Sequence, residues 1–480
     1  MEAIKSHKII VYKCIVLLFM FVFPFLPTFS EMTPLGMKVL GIFIGTIFGW
    51  ITIDLLWPSL IGIVALGMSG IYDSLEACFS ACFGTQTSLL ILGSLFVCAL
   101  VAATDLSAWI VRFLMSLRVA KKYPFVMVFF IFIAAWIVAT LSHCIVAGVL
   151  VLGIYRSLAK EAHIPAQDPV NSYMLVGITL GCMFGDLTFP FRPIAYAILN
   201  VYTAFAGTEI SFGGYILTCL PFLAFMLAAY TFVGKLLKVN ISFLQELSAN
   251  SVKPDISKKQ RWTLIFLTLM LASMMIPSLT STSTSPVFVA INAVGLGGIT
   301  VIWMVIMMLW EVDGEPLMNL QSLSKNFEWG VYLCVCFLIP LANAISNDAC
   351  GISATLSGTL SPILSSMPPM LFLVSIIVLS VILTNVLNNM IVAMLFITLL
   401  FSLPECMENL NTIATVLSIM LASYVACATP AASPLNAFMY GQRDLVSFKN
   451  QILQGVKTCL LLTLLIICIF YPFASLVFHV

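Results

Sequence analysis

Two uncharged stretches of the chain decide its fold. Residues 123–153 read YPFVMVFFIFIAAWIVATLSHCIVAGVLVLG, and residues 369–403 read PMLFLVSIIVLSVILTNVLNNMIVAMLFITLLFSL. Neither stretch contains Asp, Glu, Lys or Arg, and each is more than 30 residues long. As one straight helix rising about 1.5 Å per residue, either would be much longer than the ~30 Å hydrocarbon core of a bilayer. We therefore expect each stretch to fold as a re-entrant helical hairpin.

The flanking charges predict the side from which each hairpin enters. Basic residues bracket the first hairpin (123–155), namely Arg112, Arg118, Lys121 and Lys122 before it and Arg156 and Lys160 after it. Because basic loops stay in the cytoplasm, this hairpin is predicted to enter from the cytoplasm, with its tip near Leu141–Cys144. The second hairpin (369–403) has no basic neighbours and is followed by acidic residues, so it is predicted to enter from outside, with its tip near Leu387–Met390. Non-helical tips at this depth are tolerated only inside protein or along a wet cavity.

The composition of the chain excludes a soluble protein. Of its 480 residues, 61% are hydrophobic and 9% are charged, whereas about a quarter of an average soluble domain is charged. The net charge of +1 comes with no basic domain, so no nucleic-acid partner is predicted. The 14 cysteines are scattered without a C-x-x-C or Cys/His cluster, which argues against a disulfide framework and a zinc site. No catalytic residues are predicted, and the chain is not expected to be an enzyme.

Eleven membrane crossings are expected outside the hairpins, since a spanning helix needs about 20 apolar residues. The candidate segments are 12–29, 36–53, 57–71, 87–104, 171–206, 214–233, 262–279, 287–310, 329–346, 411–440 and 454–478. The first resembles a signal peptide, but its apolar part is long and no A-x-A site follows, so we interpret it as a retained helix. Basic residues place the N-terminus in the cytoplasm, and an odd number of crossings places the C-terminus outside. The chain is thus predicted to be a multi-pass protein of the cell (inner) membrane.

One loop departs from the charge pattern. Residues 311–328 are predicted to be cytoplasmic, yet they carry four acidic residues, of which Glu328 is the last. Acidic residues contribute little to the orientation rule. The predicted topology is therefore kept.

The chain divides into two halves built on one plan. The N-terminal half is predicted at 1–233, a basic cytoplasmic linker at 234–261, and the C-terminal half at 262–480. Their landmarks follow similar spacings, with Pro124, His143 and Pro193 in the first half and Pro369, Asn389 and Pro434 in the second. Because the hairpins enter from opposite sides, this pattern predicts an inverted repeat, whose interrupted helices point to a transporter's binding site. The alternative is a chance distribution of prolines in an apolar chain.

Four polar segments are predicted to meet near the midplane. They are the two tips, Ser142–Cys144 and Thr384–Asn389, and the two interruptions, Gly185–Pro193 and Ala428–Asn436. Ionisable side chains inside a membrane cost on the order of 3 kcal/mol each, so they are functional candidates. Arg192 is the foremost of them, since a guanidinium suits carboxylate and oxyanion groups. The alternatives for Arg192 are an ion pair with Asp186 or a position near the membrane interface.

The remaining polar side chains at the tips each have two interpretations. His143 is either a group that couples protons to transport or a neutral hydrogen-bonding residue. The side-chain oxygens of Thr384, Asn388 and Asn389 suit a hard cation such as sodium, or they join helices by hydrogen bonds. Cys144 is not expected to act as a reactive thiol.

Three short motifs precede apolar helices: MTPLGMK at 32–38, EWGV at 328–331 and ASPLN at 432–436. The ASPLN motif is similar to the A/G-T-P-P-N turn of a transporter family. With this element order, the chain resembles the divalent-anion/sodium symporters, the dicarboxylate transporter family of the ion transporter superfamily. The resemblance implies an all-α membrane protein, an inverted-repeat transporter with about eleven transmembrane helices and two re-entrant hairpins. It also implies a homodimer with an elevator-like transport domain.

The resemblance implies a site at the hairpin tips, where the family has Ser-Asn-Thr motifs that bind sodium and substrate. The substrate-binding candidates are Ser142, His143, Cys144, Arg192, Pro193, Asn389, Ser433, Pro434 and Asn436. The candidates for a sodium ion, the one cofactor considered, are Thr384, Asn388, Asn389 and Ala432. The first tip departs most from the family: Val138 stands where the family has a hydroxyl, and Arg192 stands where Ser433 stands in the second half. A positive group replacing sodium there suggests proton coupling or exchange.

The predicted function is secondary active transport of a small organic anion, a di- or tricarboxylate, across the cell membrane by elevator-type alternating access. Coupling to sodium is left open against proton coupling or exchange. The alternatives are an inorganic oxyanion permease or a cation/proton antiporter of the same superfamily. Arg192 beside Asp186 argues against a cation site.

Overall fold

The computed structural model is largely helical and describes residues 2–236, 239, 241, 254–280, 285–352, 354–355, 367–403, 407 and 409–478. The helices of the first half are α1 Glu2–Leu17, α2 Pro34–Thr52, α3 Leu56–Met68, α4 Leu75–Phe83, α5 Gln86–Ala103, α6 Leu106–Met115, α7 Arg118–Lys122, α8 Pro124–Leu141, α9 Cys144–Glu161, α10 Pro169–Gly185, α11 Pro193–Ala206 and α12 Phe212–Leu236. Short π and 3₁₀ turns at Leu18–Val22 and Phe23–Phe25 extend α1.

The second half repeats much of this order. Its helices are α13 Lys258–Leu279, α14 Pro286–Leu309, α15 Leu320–Leu323, α16 Trp329–Ser346, α17 Pro369–Thr384, α18 Asn389–Phe401, α19 Thr412–Ser423, α20 Pro434–Tyr440, α21 Phe448–Leu465 and α22 Tyr471–Val477. Glu311–Val312 and Glu315–Pro316 form a two-residue antiparallel β-hairpin, a detail that the all-α prediction did not include. Most of the predicted linker 234–261 lies outside the described residues.

Prolines begin many of these helices because the first helical residue needs no intrahelical N–H bond. Seven described helices start in this way, at Pro34, Pro124, Pro169, Pro193, Pro286, Pro369 and Pro434. Pro124 opens the first hairpin (α8–α9), and Pro193 opens the second segment of the first interrupted helix (α10–α11). Pro369 and Pro434 have the same places in the second hairpin (α17–α18) and the second interrupted helix (α19–α20). Prolines therefore begin corresponding helices in the two halves.

Glycines allow α10 to pack directly against α8. A Cβ added at Gly177 would lie 2.1 Å from the ring of Phe132, and one at Gly181 would lie 2.5 Å from the Phe132 carbonyl oxygen. At Gly185 the added atom would lie 2.4 Å from the Cβ of Ala139. Small residues spaced four apart let membrane helices approach closely. This packing holds the interruption after Gly185 beside the end of the first hairpin.

The helices form two packing groups. The hairpins, α10, α12 and α19–α22 contact one another in one group, and α1–α5, α13, α14 and α16 contact one another in the other. The principal links between the groups are α11, which packs on α5, α16 and α18, and α6, which packs on α5 and α8. The polar interruptions belong to the first group and face the second.

Five described helices are long and apolar enough to cross a membrane, namely Gln86–Ala103, Pro124–Leu141, Phe212–Lys235, Pro286–Leu309 and Phe448–Val477. Ten shorter apolar helices accompany them in the described residues, and these include α10, α11, α17, α18 and α19. Many large apolar side chains are exposed, as Leu309 (78%) and Leu476 (69%) illustrate. An exposed apolar surface of this kind is suited to lipid. The fold is that of an all-α membrane protein, as predicted.

Candidate functional site

Each hairpin turns at a residue that caps its own second helix. His143 Nδ1 accepts a hydrogen bond from the backbone N–H of Ile145 at 3.3 Å, and Asn388 Oδ1 accepts one from the N–H of Met390 at 3.0 Å. These caps satisfy N–H groups that have no partner within the helix. Both capping residues lie 19 positions after the proline that opens their hairpin. The structural counterpart of His143 is therefore Asn388, and the alignment of His143 with Asn389 was wrong by one residue.

His143 is the middle residue of the first predicted tip, Ser142–Cys144. The neighbouring residues are differently placed: Ser142 is buried and its hydroxyl donates to the Val138 carbonyl oxygen at 2.7 Å, whereas Cys144 is half-buried as the first residue of α9.

The side chain of Arg192 extends from the first interruption to the tip of the first hairpin, where α8 ends. Its Nη2 donates to the carbonyl oxygens of Ala139 and Ser142, both at 3.2 Å. The same nitrogen lies 3.4 Å from Asp186 Oδ1, and Nη1 donates to Cys98 Sγ at 3.1 Å. The guanidinium thus occupies a position surrounded by oxygens at the C-terminal end of a helix, where positive charge is favoured. This is the ion pair that the sequence offered as the alternative for Arg192.

The guanidinium nevertheless retains hydrogen-bonding capacity. Among the described residues, Nε of Arg192 has no hydrogen-bond partner. The side chain is 10% exposed and lines a cavity. A buried donor without a partner costs free energy.

The second hairpin is joined to the second interrupted helix by side-chain amides. Asn385 Nδ2 donates to the Val425 carbonyl oxygen at 3.2 Å, and its Oδ1 accepts from the Ala428 N–H at 2.7 Å. Thr384 donates to Asn389 Oδ1 at 2.9 Å and contacts the Ser423 carbonyl oxygen. One hydroxyl proton cannot serve both acceptors fully. Three oxygens, those of Thr384, Asn389 and Ser423, therefore share this position.

The ASPLN turn holds the start of α20. Ser433 Oγ accepts from the Asn436 N–H at 3.1 Å, and Asn436 Nδ2 donates to the Ala426 carbonyl oxygen at 2.6 Å. Pro434 is the first residue of α20, as Pro193 is the first residue of α11. Ala432 is buried beside the turn. In both halves, a proline thus restarts the helix after the interruption.

Two adjoining cavities connect these elements. The first has a volume of about 340 Å³ and the second about 200 Å³. The predicted residues that line one or both are Ser142, His143, Cys144, Arg192, Pro193, Asn388, Asn389, Ala432, Ser433 and Pro434. Thr384 and Asn436 do not line them, because both are buried behind the turns that they stabilise. The helices α9 and α18 begin at the second cavity, where their N-termini favour an anion.

Some lining residues were not among the predicted site residues. Asp186 and Glu328 line both cavities, Cys98 lines the first, and Met183 and Tyr424 line the second. Glu328 had a signal in the sequence, since it is the acidic residue directly before an apolar helix in a loop that departs from the charge rule. Cys98 had none, because a cysteine within an apolar helix is usually a packing residue. In the part of the chain that the structure describes, no three His, Cys, Asp or Glu side chains are grouped as metal ligands.

Comparison with known proteins agrees with this architecture. The family described as "Citrate transporter" matches residues 42–419. No curated protein sequence matches the chain. The crystal structure of the Alcanivorax borkumensis YdaH transporter, described as having an unusual topology, superposes with a TM-score of 0.54 at 14% identity and covers 91% of this chain and 99% of its own. That likeness concerns the fold alone. Since the family match spans most of the chain, this protein belongs to the citrate transporter family and is a transporter, not an enzyme.

Proposed function

We propose that the chain is a secondary active transporter of citrate-type anions, with a di- or tricarboxylate as substrate. The observation that carries the proposal is the pair of cavities at which Arg192 and the N-termini of α9 and α18 meet. A guanidinium and helix N-termini are the groups that proteins use for carboxylates. The match to a citrate transporter family supports the same class of substrate.

Transport by this site requires that it face each side of the membrane in turn. The hairpins, α10 and α19–α20 belong to one packing group, α11 links it to the other, and the cavities lie where the first group meets α5 and α16. Sliding of one group past the other would carry the site across the membrane, as in an elevator. A homodimer is the assembly that the resemblance implies for such a carrier.

We further propose that the two halves treat cations differently. Arg192 supplies a built-in positive charge at the first tip, where it lies on two carbonyl oxygens and Asp186. The second tip keeps the oxygens of Thr384, Asn389 and Ser423 for a small cation. Sodium, if it is coupled at all, would therefore bind in the second half. At the first tip, Arg192 would stand in place of a sodium ion, and transport would be coupled to protons or proceed by exchange.

Uptake into proteoliposomes tests these proposals. Labelled citrate, a dicarboxylate and sulfate are compared with and without sodium and with and without a pH gradient. We expect saturable uptake of a carboxylate, and a Thr384→Val variant should lose any sodium response while Thr398→Val retains it. Uptake of sulfate alone would favour an oxyanion permease. Strict dependence on sodium with no response to a pH gradient would exclude proton coupling.

A further inference from the structure

An uncompensated carboxylate faces the first cavity. Glu328 is the last residue before α16 and lines both cavities. Asp186 and Arg192 line the first cavity too, and their ion pair offsets one charge with the other. Among the described residues, Glu328 takes part in no ion pair. One guanidinium against two carboxylates leaves the described lining of the first cavity with one negative charge.

This charge opposes the proposed substrate. A carboxylate repels a bound anion. Since Glu328 is exposed, solvent screens this repulsion, and we expect an effect on affinity of roughly three- to tenfold. A site built only for tight anion binding would lack such a group. Glu328 would therefore serve a carrier only if weak binding of the anion is useful in the conformation that the structure shows.

In the proposed sliding, Glu328 stays with α16. That helix packs on α2, α3, α4 and α5 and on the linking helix α11, whereas His143 and Arg192 lie at a hairpin tip and at an interruption. If the groups slide past each other, Glu328 lies beside the site on one side of the membrane and away from it on the other. That side is the one on which the 311–328 loop lies, which the charge pattern predicts to be the cytoplasm.

We propose that Glu328 promotes release of the anion on the side of the 311–328 loop by lowering the affinity of the site there. The inference rests on the proposed anion transport. In this proposal the carboxylate of Glu328 repels the bound anion directly. The affinity for the anion should therefore differ between the two sides of the membrane because of this one residue.

The test uses the full-length protein in proteoliposomes of known orientation, with labelled citrate and, if citrate is not carried, succinate. The variants are Glu328→Gln, Glu328→Asp and, as a matched control, Glu315→Gln, an exposed carboxylate of the same loop. We expect Glu328→Gln to lower the KM on the loop side three- to tenfold while the KM on the opposite side stays within twofold. Glu328→Asp and Glu315→Gln should resemble the wild type.

A purely structural role for Glu328 would not produce this asymmetry. Equal shifts of KM on both sides, or an unchanged or raised KM on the loop side in Glu328→Gln, would overturn the inference and leave anion transport intact. Absence of transport by the wild-type protein for carboxylates and sulfate alike would overturn the proposed function and this inference together. The melting temperature of each variant shows whether its fold is retained.

Discussion

Replacing Arg192 by alanine removes the partner of a buried carboxylate. The side chains of Arg192 and Asp186 are 10% and 7% exposed. Removing one member of such a pair costs about 3–5 kcal/mol, because the remaining charge stays buried and unpaired. The carbonyl oxygens of Ala139 and Ser142 also lose their donor, at about 1 kcal/mol each. We therefore expect Arg192→Ala to lower the free energy of unfolding by about 5–7 kcal/mol.

A double variant separates the ion pair from other effects. Arg192→Met combined with Asp186→Leu replaces both charges by apolar side chains of similar volume. Such replacements are often neutral or stabilising, so the double variant should be more stable than Arg192→Ala. A double-mutant cycle should yield an interaction energy of about 2–3 kcal/mol.

The assay is unfolding of the purified protein in detergent, followed by tryptophan fluorescence, together with citrate binding. Lys160→Ala, at an exposed position of α9, is the control and should leave both unchanged. If Arg192→Ala is as stable as Lys160→Ala, the structural account of the pair is refuted. If the double variant is stable yet binds citrate as the wild type does, the assignment of Arg192 to the anion is refuted instead.

Three further predictions concern the frame of the site. Asn385→Ala should cost about 2–3 kcal/mol of unfolding free energy, since it removes the bonds between the second hairpin and the second interruption, and thermal unfolding measures this. Gly181→Val should cost about 1–3 kcal/mol or more in the same assay because its Cβ meets the Phe132 carbonyl at 2.5 Å, whereas Gly153→Ala, with open space around it, should be tolerated. Arg156→Gln should change stability by no more than about 1 kcal/mol, since its pair with Asp444 is exposed, and added salt should shrink the difference.

Much of the helical order was predictable from the sequence. Long apolar runs, prolines at helix starts and two uncharged stretches depend on local chemistry, so they predicted tips near Leu141–Cys144 and Leu387–Met390. The structure turns at 142–143 and 385–388, so the second turn begins two residues earlier than predicted. The residue-by-residue alignment of the two halves was less predictable. His143 and Asn388 correspond because each side chain accepts a hydrogen bond from the N–H two residues later, and their residue types do not show this. Spacing alone allowed a one-residue error.

By itself, the sequence determined that this is an all-α membrane protein with two related hairpins, because apolar length and charge distribution act locally along the chain. Only the tertiary structure decided what the polar groups do. Arg192 meets Asp186, Cys98 and the end of the first hairpin across separations of six to 94 residues. Glu328 lines the same cavity as Arg192, although it lies 136 positions later in the sequence. No local pattern encodes such meetings, since they depend on how whole helices pack.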